Sequence, residues 1–150
     1  MPQIIIADTS CLILLHKIDE LELLEKSYGQ VAITEIVAKE FGQPLPEWIN
    51  VKKTDKSTQK SFEPFLDEGE ASAISLALQE KVPLLIIDEL KGRKIAKELG
   101  IKYTGTLGVI GAAKITGKID LVKPIIDKIK ATDFRVSEEL LEKVLKQCDE

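Results

Sequence analysis

The sequence predicts an α/β protein: a three-layer α/β/α arrangement around a central parallel sheet of four to five strands. Three observations predict it. Short apolar runs with strand character alternate with amphipathic helical stretches, the order that βαβ units produce. Two of those runs, Ile4-Ile5-Ile6-Ala7 and Leu84-Leu85-Ile86-Ile87, are apolar at every position, as strands buried on both faces are. At 150 residues, 44% hydrophobic and 31% charged, the chain reads as a single domain over residues 1–150 with enough surface to bury a real core.

The elements follow in order. The first strand ends at Asp8, and Thr9-Ser10 can cap a helix through Leu12, Leu15 and His16. Asp19, with Glu22 three residues on, reads as a capping box for a helix carrying Leu21 and Leu24. Residues 30–33 form a second strand. Thr34 then caps a helix with Ile36, Val37 and Phe41 on its apolar face, broken by Pro44 and Pro46. Residues 51–54 read as a third strand and the polar stretch 55–61 as a loop. Asp67-Glu68-Gly69-Glu70 opens a strong helix over 71–80, its acids at the end the helix dipole favours. The strand ending at Asp88 comes next. A helix carrying Ile95, Ala96 and Leu99 stops at Gly100, and 101–103 is a fifth strand. Thr104-Gly105-Thr106 leads into a helix closed by Gly117, and two more helices occupy 124–130 and 137–147. The chain shows no internal repeat and no low-complexity tract.

Composition excludes several functions. A net charge of −4 excludes a general polyanion binder, so nucleic acid would have to meet a local basic patch or a metal. No apolar run approaches the ~20 residues of a membrane span, so no membrane partner is expected. The start of the chain has no basic n-region or small-residue cleavage site, which predicts no signal peptide. Cys11 and Cys148 have no metal-ligand spacing. Cys11 lies in an apolar run and is read as core, Cys148 as tail, and a reduced cytoplasmic setting is the simplest reading.

The acids at the strand ends carry the chemistry. In open α/β sheets, ligands bind beyond the carboxyl ends of the strands, where the strand order reverses. If the two acid-terminated strands are neighbours, Asp8 and Asp88 face one crevice. Two carboxylates so close repel unless positive charge sits between them, and a hard divalent cation is the natural occupant. Asp8 could instead cap the helix that follows, but Thr9 or Ser10 can do that, which favours a functional role. Glu89 points elsewhere. Glu70 sits in a first helical turn and complements the dipole, as Asp67 and Glu68 also do. Glu40 lies near a helix C-terminus, where an acid opposes the dipole.

Together these segments resemble a family. The Ile-rich strand into Asp8-Thr9-Ser10, the stretch 33–40 delivering Glu40, Gly69-Glu70-Ala71-Ser72-Ala73-Ile74 and Ile86-Ile87-Asp88-Glu89 resemble the PIN-domain nucleases over nearly the whole chain. With Gly92-Arg93 and Gly105-Thr106-Leu107-Gly108, the chain resembles an uncharacterised prokaryotic PIN-like subfamily. The resemblance implies that Asp8, Glu40, Glu70 and Asp88 form one acidic cluster binding Mg²⁺ or Mn²⁺, with Asp8, Asp88 and Glu70 as ligands. It also implies endonucleolytic hydrolysis of single-stranded RNA, often by the toxin of a VapBC-type toxin–antitoxin pair. The chain departs from the wider family at Glu70, where Asp is frequent, and at Ile86, where many members carry Ser or Thr.

Further residues are read beside that cluster. Thr9 and Ser10 can offer hydroxyl and N–H groups to a phosphate at a helix start. Lys91, Arg93, Lys94 and Lys97 can steer an RNA backbone, or form a solvated helix face. Thr104 and Thr106 can touch phosphate or cap a helix. His16 is read as a partner of its helix's C-terminal dipole. Trp48 and Phe62 can stack bases or fill the core. The helix at 137–147 and the early apolar faces (Leu14, Leu15, Leu21, Leu24) offer surface for a homodimer or an antitoxin protein. Two other functions are open: a phosphatase with Asp8 as nucleophile, disfavoured because Ser10 stands where a second acid is wanted, and a PIN-like binding or regulatory module without significant nuclease activity.

Overall fold

A computed structural model describes residues 4–81 and 84–150, so the expectation about the extreme N-terminus touches residues outside this range. Strands β1 (Ile5–Ala7), β2 (Val31–Thr34), β3 (Ile49–Lys52), β4 (Leu84–Ile86) and β5 (Tyr103–Thr104) pair in parallel in the order β3-β2-β1-β4-β5. Ile5 lies opposite Val31 on one side and Leu84 on the other. From β1 the chain adds β2 and β3 on one side and β4 and β5 on the other, so the strand order reverses between β1 and β4.

Side chains alternate across the sheet with the period of a strand. Ile5, Ala7, Val31, Ile33 and Ile86 face one core, and Ile6, Ala32, Leu85 and Ile87 the other. The first core is covered by α1 (Thr9–Lys17), α2 (Glu22–Tyr28), α3 (Glu35–Phe41), α7 (Thr106–Ile115), α8 (Lys123–Lys130) and α9 (Glu138–Gln147). The second is covered by α5 (Glu68–Glu80) and α6 (Leu90–Glu98), with α4 (Lys56–Phe62) beside α5. This is the three-layer α/β arrangement the sequence predicts. Helix α5 is buried continuously from Gly69 through Ala77. Its small residues allow close approach, and its serines are satisfied: Ser72 shares a 2.7 Å bond with Thr34 and donates to the Gly69 carbonyl at 2.8 Å.

Several local expectations are corrected. The third strand is Ile49–Lys52 rather than 51–54, because buried Ile49 pairs with Val31 while Val51 on this edge strand is exposed. Residues 55–61 are mostly helix α4. Asp55 caps it, accepting from the Ser57 N–H at 3.2 Å and the Thr58 hydroxyl at 2.7 Å. Gln59 is the buried residue of α4 and Phe62 its one large apolar group packed on the core, so it has almost no apolar periodicity to read. Helix α5 starts at Glu68 rather than 71, and β5 is Tyr103–Thr104 rather than 101–103. The capping box fails: Asp19 adopts φ +57° in a turn, and Leu21 precedes α2 with no side-chain cap. Cys148 is buried in the first core rather than lying in a free tail. Leu14, Leu15 and Leu24 are buried in that core too, so they offer no surface to a second copy or an antitoxin. Among the described residues, no helix is long and apolar enough to cross a membrane.

Candidate active site

The site starts where the strands run out. The Asp8 N–H donates to the Ile86 carbonyl at 2.9 Å and closes the β1–β4 ladder. One step past Ala7, the Asp8 side chain belongs to the α5 side of the sheet. It is 3% exposed. Although Asp8 occupies the N-cap position of α1, in place of Thr9 or Ser10, its carboxylate makes no capping bond. Oδ1 is buried with no partner. Burial pushes the pKa up to about 7; the Thr9 backbone N–H pulls it down, while the charges of Asp67, Glu40 and Asp88 push it further up.

Glu70 is the second such group. Asp67 caps α5 by accepting the Glu70 N–H at 2.8 Å, which fixes the first turn. The Glu70 side chain is buried, and its Oε2 has no partner. Burial pushes its pKa up to about 8, helped by a bond to Asp67 and by the charges of Asp67, Asp8 and Glu89. Gly92 lets α6 come this close. A Cβ there would overlap the Ile87 side chain and stand 3.4 Å from Glu70 Oε2.

Glu40 and Asp88 are held differently. Glu40 is exposed at the end of α3 and accepts the Thr9 hydroxyl at 2.6 Å through Oε1. The same oxygen lies where a Cβ of Gly69 would be, so Gly69 permits α3 and α5 to share this corner. Asp88 is half-buried and turns toward α7, since Ile87 before it faces the second core. Thr106 donates its N–H to Asp88 Oδ1 at 2.8 Å and its hydroxyl to Oδ2 at 2.6 Å.

All four predicted acids therefore lie at the carboxyl edge of the sheet, around the reversal between β1 and β4. Glu40 meets Gly69 at the start of α5, Asp8 raises the pKa of Glu70 from nearby, and Asp88 lies at the start of α7. Among the described residues, no three carboxylate, imidazole or thiol groups stand close enough to enclose an ion. The chemistry of the donors suits a hydrated Mg²⁺ or Mn²⁺, which takes one or two carboxylates and keeps several waters. The orphaned oxygens of Asp8 and Glu70 fit that demand, because an unpaired buried carboxylate is otherwise a destabilising choice. Asp67 is the acid that sequence reasoning passed over as a dipole partner. It is the first of the charges raising Asp8, and its place one turn before Glu70 was the available signal.

The other site residues separate. Thr106 is 1% exposed and both its donors go to Asp88, so it positions that acid rather than meeting substrate. Thr9 holds Glu40, and Ser10 is exposed in the first turn of α1. Arg93 leaves the solvated face of α6. Its Nε donates to the Ile87 carbonyl at 2.9 Å, and its guanidinium lies over Gly105, 5.9 Å from the centre of the Tyr103 ring. Lys91, Lys94 and Lys97 are exposed. Trp48 is buried and Phe62 packs against the second core, so neither is free to stack a base. His16 meets Phe41 edge-on at 5.5 Å.

A parallel sheet in the order 3-2-1-4-5, with unpaired acids at its reversal point, is a doubly wound α/β domain whose candidate site lies where such sheets bind ligands. The chain matches a family model described as a PIN domain over residues 4–150, and it belongs to the PIN-domain family that its sequence resembles. No curated protein matches it.

Proposed function

We propose that this protein is a metal-dependent endoribonuclease hydrolysing phosphodiester bonds of single-stranded RNA, with Mg²⁺ or Mn²⁺ as cofactor. The observation that carries the reading is the pair of buried, unpartnered oxygens, Asp8 Oδ1 and Glu70 Oε2, at the reversal point of a PIN-domain sheet. Asp8 and Glu70 would hold the ion, with Asp88 kept in orientation by Thr106. The ion, when bound, supplies an acidified water and offsets charge on the phosphate. Glu40, tethered through Oε1 by Thr9, keeps Oε2 to accept a hydrogen bond from the attacking water. Because Asp8 and Glu70 hold protons more tightly than free carboxylates do, cation binding displaces protons and strengthens as pH rises.

The test is single-turnover cleavage of an end-labelled single-stranded RNA with Mg²⁺ or Mn²⁺, against EDTA. Wild type cleaves only with the cation, and Asp8→Asn does not cleave. Cleavage that survives EDTA or Asp8→Asn overturns the reading, and a folded wild type that never cleaves leaves the binding-module alternative. The toxin role in the cytoplasm, with an antitoxin partner and a homodimer, is proposed on the family resemblance. Growth arrest on expression, relieved by the adjacent reading frame, tests it.

A further inference from the structure

The most exposed aromatic or large apolar groups include Phe65, 65% exposed in the turn between α4 and α5. The turn holds it outward. Pro64 precedes it, its own N–H and that of Leu66 donate to the Phe62 carbonyl at 3.0 and 3.1 Å, and Leu66 is buried. The ring borders two clefts. One, of about 470 Å³, is also lined by Asp67, Glu70, Glu89 and Lys91. The other, of about 390 Å³, is lined by Lys91, Lys94, Ile95 and Glu98. Phe65 and Lys91 belong to both, so they form the wall between the carboxylate side and the side that carries Lys94. Neither Lys91 nor Lys94 has an ion-pair partner among the described residues.

A single exposed apolar side chain is ordinary on a protein surface. This one stands on a fixed turn, beside two unpaired ammonium groups, and shares a cleft with Glu70. We infer that Phe65 is a stacking platform for an unpaired nucleobase, with Lys91 and Lys94 taking the neighbouring phosphates. The inference rests on the nuclease reading and extends it by naming a nucleotide subsite next to the carboxylates. An aromatic face with flanking cations is the common solution for single strands, since every base has a face to stack and the backbone needs only charge. Bases paired in a duplex cannot splay onto such a ring, so the subsite selects single strands.

The test is binding of labelled single-stranded RNA by fluorescence anisotropy in Ca²⁺, with a gel confirming that the RNA stays intact. Phe65→Ala should weaken binding by about tenfold or more, and Phe65→Trp should retain it. The melting temperature of Phe65→Ala should equal wild type, because the ring is exposed. Its salt dependence should also be unchanged, whereas Lys91→Ala should lower the salt slope by roughly one. On RNA carrying abasic positions, Phe65→Ala and wild type should bind alike. Phe65→Ala binding within about twofold of wild type on intact RNA, against the stacking loss expected, overturns the inference. So does an equal loss on abasic RNA, or an effect confined to association with another protein. If wild type cleaves and Phe65→Ala changes nothing, the subsite falls and the nuclease stands. If the stacking pattern appears without cleavage, the subsite stands and the nuclease reading falls. If wild type neither binds nor cleaves, both fall.

Discussion

Two regions of this protein use carboxylates in opposite ways. At the sheet edge, Asp8 and Glu70 each keep an oxygen without a partner, and their pKa values rise to about 7 and about 8. At the far end of the chain, Glu150 is saturated. Its Oε2 accepts from Lys114 Nζ at 2.9 Å and the Val122 N–H at 2.8 Å, and Oε1 accepts from the Lys123 N–H at 2.9 Å. Lys114 also donates to the Cys148 carbonyl. Glu150 thereby supplies the cap that Val122 cannot supply to α8, and ties α7, α8 and the end of α9 together. Donors around the charge hold its pKa down to about 2. A carboxylate that stabilises a fold is surrounded by donors. A carboxylate buried with one oxygen left free, as in Asp8 and Glu70, destabilises the free protein, and a bound cation would relieve that effect.

The comparison is broken most directly at Asp8. Asp8→Asn should reduce metal-dependent RNA cleavage to background while the metal-free protein melts at an equal or higher temperature. Loss of folding in Asp8→Asn, seen by circular dichroism, would show that Asp8 is a structural residue like Glu150.

The pH profiles should run in opposite directions. Asp8 and Glu70 have raised pKa values in the folded state, so their stabilising contribution is complete below the ordinary values of 3.8 and 4.5. It is lost as pH rises through about 7 and 8. For Asp8, a shift of this size is worth a few kcal/mol. Metal-free wild type should therefore lose thermal stability between about pH 5 and 8, and Asp8→Asn with Glu70→Gln should flatten that fall. A flat wild-type profile over this window would contradict the raised values.

Divalent cation should then restore what repulsion removes. Mn²⁺ at 100 times its dissociation constant stabilises the folded chain by about 2.7 kcal/mol, and the gain should shrink in Asp8→Asn. An unchanged melting temperature in millimolar Mn²⁺ would mark the crevice as inert. Thr106→Val sharpens the contrast, because it removes one donor from Asp88, a site acid with both oxygens partnered. It should cost about 1–3 kcal/mol and lower cleavage roughly 10–100-fold. Thr106→Ser should restore both. Equal activity in Thr106→Val would mean that the backbone N–H alone holds Asp88.

The smallest effect should come from the clasp. Glu150→Gln should lower the melting temperature at pH 7 without changing cleavage. The wild-type contribution from Glu150 is present above its ordinary value of 4.5 and lost as pH falls through about 2, so the two proteins should converge in acid. A difference that grows toward low pH would reverse the assignment.

Fold class, parallel sheet and strand-end acids can all be read from the order of residues alone. Short apolar runs stopping at Asp8 and Asp88, too short for helices, read as buried strands, and strands of that kind in alternation with helices leave few topologies. The sequence also marked Thr34 as a cap, and Gly100 and Gly117 as helix stops, where the structure has positive φ at both. It missed α4, whose cap and tertiary packing outweigh a nearly featureless pattern, and it placed Leu14, Leu15 and Leu24 on a surface that α7, α8 and α9 cover. Only the tertiary structure decided which acids keep a free oxygen, that Thr106 belongs to Asp88, that Asp67 acts on Asp8 and Glu70, and that the aromatic beside the crevice is Phe65 rather than Trp48 or Phe62. The reason is physical. Periodicity records which face of an element is dry, a local property of the chain. Whether a polar atom finds a partner, or an aromatic ring finds cover, depends on what arrives from tens of residues away.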